Sequence, residues 1–381
     1  MDSVLKQSLP PYELIVVPNG TEEHNRRIVS AIMAKYDLVP CEPRVSKKPY
    51  VPFEDPYAFY AGLYANPHAP VRVIILCKRY GNKADALNAA MFYSTGKYVV
   101  TVDADTILDA DCLRELCTAA AASRNIIAVG GLVYPVRLNP TLLSTIQLME
   151  YETSFLIARR AFNILNCTML LSGALSMFRK DVLNAAGGFM VNTVGEDMEV
   201  VVRLQELSRD YNTPYKITYT PKAVCFTAIP QNFSALFRQR MRWHMGLMEV
   251  MHTHRRMIFN PKHGLRGLFA MPYLLFVELL SPITTLLGIG LLIALYRVGI
   301  VSVQGILFPA VAVIAFHEAV MLLTYHLHTR HFRKKERRNG KLLCLLIGFL
   351  EMFCYRPILN LAKLKAMFRY SKYKGRWLRA R

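Results

Sequence analysis

The sequence has few features that would close a fold covalently or through a metal. Its eight cysteines are scattered, with no CxxC pair and no His-containing zinc spacing, and Cys112 and Cys117 are the nearest two. That pattern excludes a disulfide framework and a zinc module, and fits reduced thiols. His252 and His254 stand two apart, diverge on a helix and offer no metal pair. Internal repeats and low-complexity segments are missing as well, which excludes solenoids and arrays. The opening MDSVLKQSLPPYELIVVPNG lacks a charged leader followed by a long apolar core, so no signal peptide is expected. Acidic residues are scarce: 27 Asp and Glu stand against 47 Lys and Arg, for a net charge of +20. Much of that excess lies in HTHRR (252–256), RHFRKKERRNGK (330–341) and KLKAMFRYSKYKGRWLRAR (363–381), beside long apolar stretches. This distribution favours a lipid bilayer with anionic headgroups as partner, and no nucleic acid.

What is present is enough chain, 381 residues, for a full α/β domain and a second region. Short β-branched or apolar runs alternate with helix-like segments over the first two thirds, the pattern of a mostly parallel sheet flanked by helices. The strand candidates are ELIVVP (13–18), VRVIIL (71–76), KYVVTVD (97–103), IIAVGGLVY (126–134) and YKITYTPKAVCFT (215–227). One helix carries Ile28, Ile32 and Met33 at helical spacing, and GNKADALNAAMFYS opens another after a Gly-Asn turn. Residues 40–70, with several prolines and aromatics, read as an irregular covering loop. Past Lys262 the texture changes, giving an expected cytoplasmic domain over 1–262 and membrane helices with a basic tail over 263–381. The stretch 267–296 is long enough to cross a bilayer, with Glu278 and Pro282 dividing it, and 300–327 also satisfies the length requirement. The basic loop that follows should stay cytoplasmic. A third run, 342–355, is shorter than a usual span and reads equally as an interfacial helix or a third crossing.

Three constellations carry chemistry. KYVVTVD ends in DAD, so Asp103 and Asp105 sit at the carboxyl edge of a strand, where open α/β sheets bind ligands. Two carboxylates in an exposed turn suit Mg²⁺ or Mn²⁺ holding a diphosphate, though an ordinary turn or helix cap uses the same residues. Glu196 and Asp197 follow a glycine and open a helix, as dipole-stabilised groups or as a general base with Glu196 shaping the local field. In QRMRW (239–243), Gln239, Arg242 and Trp243 share one helical face, which offers an amide, a phosphate-binding guanidinium and an aromatic platform. An interfacial anchor is the plainer reading of that helix.

DAD, then GED, then QRMRW, then apolar helices resembles the processive family 2 glycosyltransferases that make cellulose, chitin, hyaluronan and poly-N-acetylglucosamine. MPYLLFVELLSP and FLEMFCYRP resemble the membrane region of the poly-N-acetylglucosamine group. The resemblance implies a GT-A, Rossmann-like catalytic domain followed by an α-helical membrane region. It implies inverting transfer from a UDP-sugar, best UDP-N-acetylglucosamine, onto a growing β-linked polysaccharide that is exported across the membrane. By position, Asp105 with Asp103 would ligate the metal and Asp197 would be the base. Asn19, Lys83, Asp103, Gln239 and Arg242 would bind the donor, and Ser172, Gly173 and Trp243 would meet the acceptor. VVPNGT stands where the family has an acidic uracil-binding turn, Ala228 stands where relatives carry a glutamate, and the resemblance begins at the family's second strand. An accessory subunit supplying N-terminal elements or aiding export is therefore an expected partner. A non-processive transferase acting on a lipid-linked acceptor and a truncated, non-catalytic subunit are the alternatives.

Overall fold

The computed structural model of the chain describes residues 1–20, 22–41, 58–64, 68–78, 81–137, 140–332 and 340–373. Segments 333–339 and 374–381, which carry much of the basic charge behind the expected membrane orientation, lie outside the described residues. So do 42–57 and 65–67 of the expected covering loop.

The β-branched runs form strands. In chain order these elements are β1 (Glu13–Val16), α1 (Glu22–Tyr36), β2 (Val39–Cys41), β3 (Ala58–Tyr64) and β4 (Val71–Cys77). They form a four-stranded sheet in the order β1-β4-β3-β2. Strand β4 shows why it lies at the centre: Val71, Val73 and Ile75 pack with Leu5, Val29 and Tyr36 on one face, while Ile74 and Leu76 pack with Ala89 on the other. Burial on both faces follows from the two-residue side-chain period of an all-apolar run.

Next come α2 (Lys83–Tyr93), β5 (Tyr98–Val102), β6 (Thr106–Leu108), α3 (Cys112–Ala121) and β7 (Ile126–Val136). After the excursion through α4 (Leu142–Thr153), the chain returns as β8 (Leu175–Arg179), α5 (Glu196–Asp210) and β9 (Lys216–Ala228). The second sheet has the order β5-β8-β7-β9-β6. Gly131 in β7 permits its close packing, because a Cβ there would sit 2.6 Å from the Ala223 carbonyl oxygen.

The expected mostly parallel sheet is corrected to a mixed arrangement. β1–β4 is parallel, whereas β2–β3, β3–β4, β5–β8 and β7–β8 are antiparallel. Apolar composition reports burial on both faces, not strand direction. Strand β8 was hidden in the SGALSMFRK segment and inserts between β5 and β7, which reverses the local direction. The expected loop over 40–70 likewise contains β3, whose Phe59, Tyr60 and Tyr64 suit a strand.

The chain packs as two compact units, each built from two stretches of sequence. One compact unit is Met1–Val133 with Leu170–Phe226, and the other is Tyr134–Met169 with Thr227–Arg381. The second unit takes in α4 and α6 (Phe233–Thr253), whose amphipathic sequences hide their affinity for the apolar helices from a hydropathy scan. It continues with α7 (Ser281–Arg297), α8 (Val303–His331), α9 (Gly340–Leu350) and α10 (Arg356–Tyr373). Leu143, Ile146 and Met149 of α4 and Leu236 of α6 share a core with Met321, Cys344, Ile347 and Tyr355. Met241 and Met245 pack on Ala362 and Ala366, where small side chains let α6 and α10 approach.

Helix α8 and the helical run Gly340–Tyr370 are long and apolar enough to cross a membrane. The third apolar run is therefore longer than expected, because a π turn at Glu351–Tyr355 carries the helix onward into α10. Arg266–Leu279 and Ser281–Arg297 pass the same test together as a pair bent by 65°. The bend falls between Glu278 and Pro282, the two residues whose sequence marks the division.

Several ionisable residues of these helices are paired, whereas both carboxylate oxygens of Glu318 are buried with no hydrogen-bond partner among the described residues. His317 Nε2 lies 3.3 Å from Glu351 Oε2, Glu351 accepts hydrogen bonds from Arg356 Nε at 2.8 and 2.9 Å, and Glu278 Oε2 lies 3.8 Å from Lys363 Nζ.

Candidate active site

The carboxyl end of β5 delivers Asp103 and, one turn later, exposed Asp105. Lys83 arrives from the start of α2, where the Asn82 side chain caps the helix by accepting the Asp85 N–H at 2.9 Å. Glu196 and Asp197 occupy the first turn of α5, where the positive end of the helix dipole favours carboxylates. These three element ends converge. Lys83 Nζ lies 2.5 Å from Asp103 Oδ1 and 3.4 Å from Glu196 Oε1.

Asp197 is held from two sides: its Oδ1 accepts the Met198 N–H at 2.9 Å and its Oδ2 accepts the Gly173 N–H at 3.0 Å. Both bonds come from backbone, so the carboxylate direction is set by the fold. A Cβ at Gly173 would stand 2.9 Å from Lys83 Nζ and 3.1 Å from Asp197 Oδ2, so a larger residue here would press on both functional groups. A small pocket results, with Lys83, Gly173, Glu196 and Asp197 on its polar side and Leu87, Phe178 and Phe189 on its apolar side.

Charge in this pocket is tightly coupled. Burial, reinforced by the Asp197 charge, pushes Glu196 up to about 7 in spite of Lys83. Burial also raises Asp103, against the opposing pull of Lys83. Lys83 itself would be lowered by burial, but Asp103, Glu196 and Asp197 outweigh that and raise it, so it stays an ammonium.

The raised Glu196 has a testable sign. The folded state keeps a proton that the unfolded chain releases above the ordinary carboxylate range, so stability falls as pH climbs toward about 7. Glu196→Gln should flatten that decline, with a gain over the wild type on the order of 1–3 kcal/mol at pH 8 and none at pH 4. Thermal unfolding across that range checks it, and parallel slopes in the two proteins would reject it.

The other sequence candidates fall in three places. Asn19 is committed to backbone: its Nδ2 donates to the carbonyls of Gly81 and Asn82 at 3.0 and 3.2 Å, and its Oδ1 accepts the Gly81 N–H at 3.1 Å. It holds the loop before Lys83. Ser172 precedes the pocket residue Gly173, with its carbonyl accepting the Ser176 hydroxyl at 2.7 Å and its Oγ accepting the Ala174 N–H at 3.3 Å. Gln239, Arg242 and Trp243 lie on α6 of the other compact unit. On that helix Trp243 is exposed, Arg242 is half-buried, and the Gln239 amide oxygen is buried with no hydrogen-bond partner among the described residues.

Asn88 and Arg240 were not singled out by sequence. Asn88 holds Phe189 as a strand neighbour would, donating to its carbonyl and accepting its N–H, both at 2.7 Å. The clue was its place at the end of GNKADALN, five residues after Lys83. Arg240, inside QRMRW, is buried.

The donor set fits a hard divalent cation. Asp103, Asp105, Glu196 and Asp197 offer carboxylate oxygens, and among the described residues Lys83 is the cation paired with Asp103 and Glu196. Among the described residues no group of three or more His, Cys, Asp or Glu side chains is arranged to hold a metal by itself. A diphosphate would supply the missing oxygens.

Residues 98–324, more than half of the chain, match the family described as Glycosyl transferase family group 2. The poly-beta-1,6-N-acetyl-D-glucosamine synthase of Staphylococcus epidermidis is 23% identical over 251 residues, covering 66% of this chain and 51% of that protein. The synthase of the same name from Staphylococcus aureus strain COL is 28% identical over 169 residues, covering 44% of this chain and 39% of that protein. The chain thus spans about half the length of the curated relatives it matches. A mannosyltransferase from Pyrobaculum calidifontis, solved with GDP-Man and Mn²⁺, aligns over 93% of this chain and 82% of its own, at 17% identity and a TM-score of 0.49.

Proposed function

This chain belongs to glycosyl transferase family group 2, and from that premise we propose that it transfers sugar units from a UDP-sugar, best UDP-N-acetylglucosamine, to a growing β-linked polysaccharide. The names of the staphylococcal relatives support the donor and product class. The observation that carries the reading is Asp197, held by two backbone N–H groups in a pocket that also holds Glu196 and Lys83, with Asp103 paired to that lysine.

In this mechanism the acceptor hydroxyl loses its proton to the Asp197 carboxylate as its oxygen bonds to the anomeric carbon. The bond from that carbon to the diphosphate oxygen breaks with its electron pair, UDP departs, and the configuration inverts. Lys83 holds Asp103 in place and presents positive charge to the diphosphate, while Glu196 keeps Lys83 protonated. By the family resemblance, Gln239 and Arg242 would bind the diphosphate and Trp243 would stack on the acceptor sugar. Asp105 with Asp103 would hold Mg²⁺ or Mn²⁺, which when bound neutralises charge on the leaving diphosphate. The helices apolar enough to span a membrane support a membrane enzyme, and on this reading it works on the cytoplasmic side and passes its polymer outward.

Membranes containing the chain, given labelled UDP-N-acetylglucosamine and Mn²⁺, should yield a ladder of products, and Asp105→Asn should reduce it about 10²-fold or more. A single addition would convert the reading to a non-processive transfer onto a lipid-linked acceptor. No product from any common UDP-sugar would overturn it.

A further inference from the structure

Within the helical unit, Arg240 makes contacts that the transfer reaction as described does not use. Its guanidinium is almost fully buried, at 8% exposure, although it lies in the middle of the QRMRW run. Nη2 donates to Glu150 Oε2 at 2.7 Å. The same carboxylate oxygen accepts the Tyr355 hydroxyl at 2.8 Å, and that hydroxyl oxygen lies 3.4 Å from Arg240 Nη2. Tyr355 is 2% exposed and closes the π turn at Glu351–Tyr355 within a helix long enough to span a membrane. On its other side, the Arg240 guanidinium carbon stands 4.3 Å from the ring centre of Trp243, one helical turn ahead. Trp243 remains 45% exposed, with the Tyr151 ring 6.5 Å away.

A buried ion pair does little for net stability, because desolvation consumes most of the Coulombic gain. Orientation is what this one provides. The planar guanidinium is held at one nitrogen, Nη2, by both Glu150 and Tyr355, while its Nε has no hydrogen-bond partner among the described residues, and its flat face is left for the indole, a geometry that a lysine ammonium does not reproduce. An exposed tryptophan without that stack would sample other rotamers.

We infer that Arg240 is a positioning residue that holds the Trp243 indole in its acceptor-binding orientation, with Glu150 and Tyr355 locking the guanidinium to the membrane-directed helix. This rests on the acceptor role proposed for Trp243. The chain from Tyr355 through Glu150 and Arg240 to Trp243 links the helix bundle to the surface that receives the sugar.

Arg240→Lys keeps the charge opposite Glu150 and removes the planar stack. It should raise the KM for a short β-linked N-acetylglucosamine oligosaccharide about tenfold, the ratio a cation–π contact of this kind corresponds to. The KM for UDP-N-acetylglucosamine should change less than about twofold, since the donor does not touch the indole. With Trp377→Phe as background, leaving Trp243 as the sole tryptophan, acrylamide quenching should rise in Arg240→Lys. A quenching constant unchanged from the parent would overturn the inference, as would an unchanged acceptor KM in Arg240→Lys beside a raised one in Trp243→Ala. If Trp243→Ala leaves acceptor KM unaltered, the acceptor role of Trp243 fails, and the quenching arm still decides whether Arg240 holds the ring. Should Arg240→Lys not fold, Tyr355→Phe removes one hydroxyl and should raise acceptor KM about twofold. Unchanged KM and quenching in that variant would also overturn the inference.

Discussion

Asp197→Asn is expected to slow sugar transfer by about 10²–10⁴-fold, the range a general base supplies, while UDP affinity changes less than about twofold. Asparagine fits the same space and keeps one acceptor oxygen, so one of the two bonds from Gly173 and Met198 survives. The lost bond costs about 1 kcal/mol of local stability, too little to unfold the pocket. The chemistry is different: an amide cannot take the proton that the acceptor hydroxyl must lose. Single-turnover transfer measured beside calorimetric UDP titration separates the two effects. Transfer above roughly a tenth of the wild-type rate would remove Asp197 from the role of base. A matching loss of UDP affinity would make it a donor ligand instead.

The largest stability effect should come from Lys83→Met. Methionine keeps the length of the side chain and its apolar stem, but leaves Asp103, Glu196 and Asp197 without their shared cation. Removing one partner of a buried pair costs about 3–5 kcal/mol, and the one-third exposure of the Asp103 side chain moves the expectation to the lower end. For a protein of this size, that lowers Tm by roughly 6–12 °C near pH 8. The sign with pH follows from the carboxylates. Below about 7 the Glu196 group takes up a proton and needs the ammonium less, and Asp103 is also raised by burial. The deficit of Lys83→Met should therefore shrink on acidification, and a deficit that is constant from pH 8 to pH 5 would contradict the cluster.

The legible parts of this molecule were those in which one local pattern had one physical meaning. KYVVTVD announced both a buried strand and carboxylates at its end, and β5 with Asp103 follows. GED announced a helix start, and α5 begins at Glu196. Apolar length announced α8, and the division near Pro282 announced the 65° bend. Strand direction was not legible, because alternation and β-branching encode which faces are buried and leave the neighbours unspecified. The bonds of Asn19 to the backbone of Gly81 and Asn82 were not legible either, since an amide side chain satisfies a loop as readily as a nucleotide. Arg240 and Arg242 differ by two positions, and only the helical phase, fixed by partners on α4 and in the π turn, separates the buried guanidinium from the half-buried one.

The placement of β8 between β5 and β7 also sets a timetable. Tyr98 pairs with Arg179, so the strand that delivers Asp103 has no β8 neighbour until 81 more residues have been made (179 less 98). At ~5–20 residues per second of synthesis, that interval is roughly 4–16 s. Asp197 arrives later still, on the helix that follows β8. Lys83 and Asp103 therefore emerge well before the glycine and the second carboxylate that complete the pocket, and the nascent chain cannot assemble a working site before its second sheet has closed.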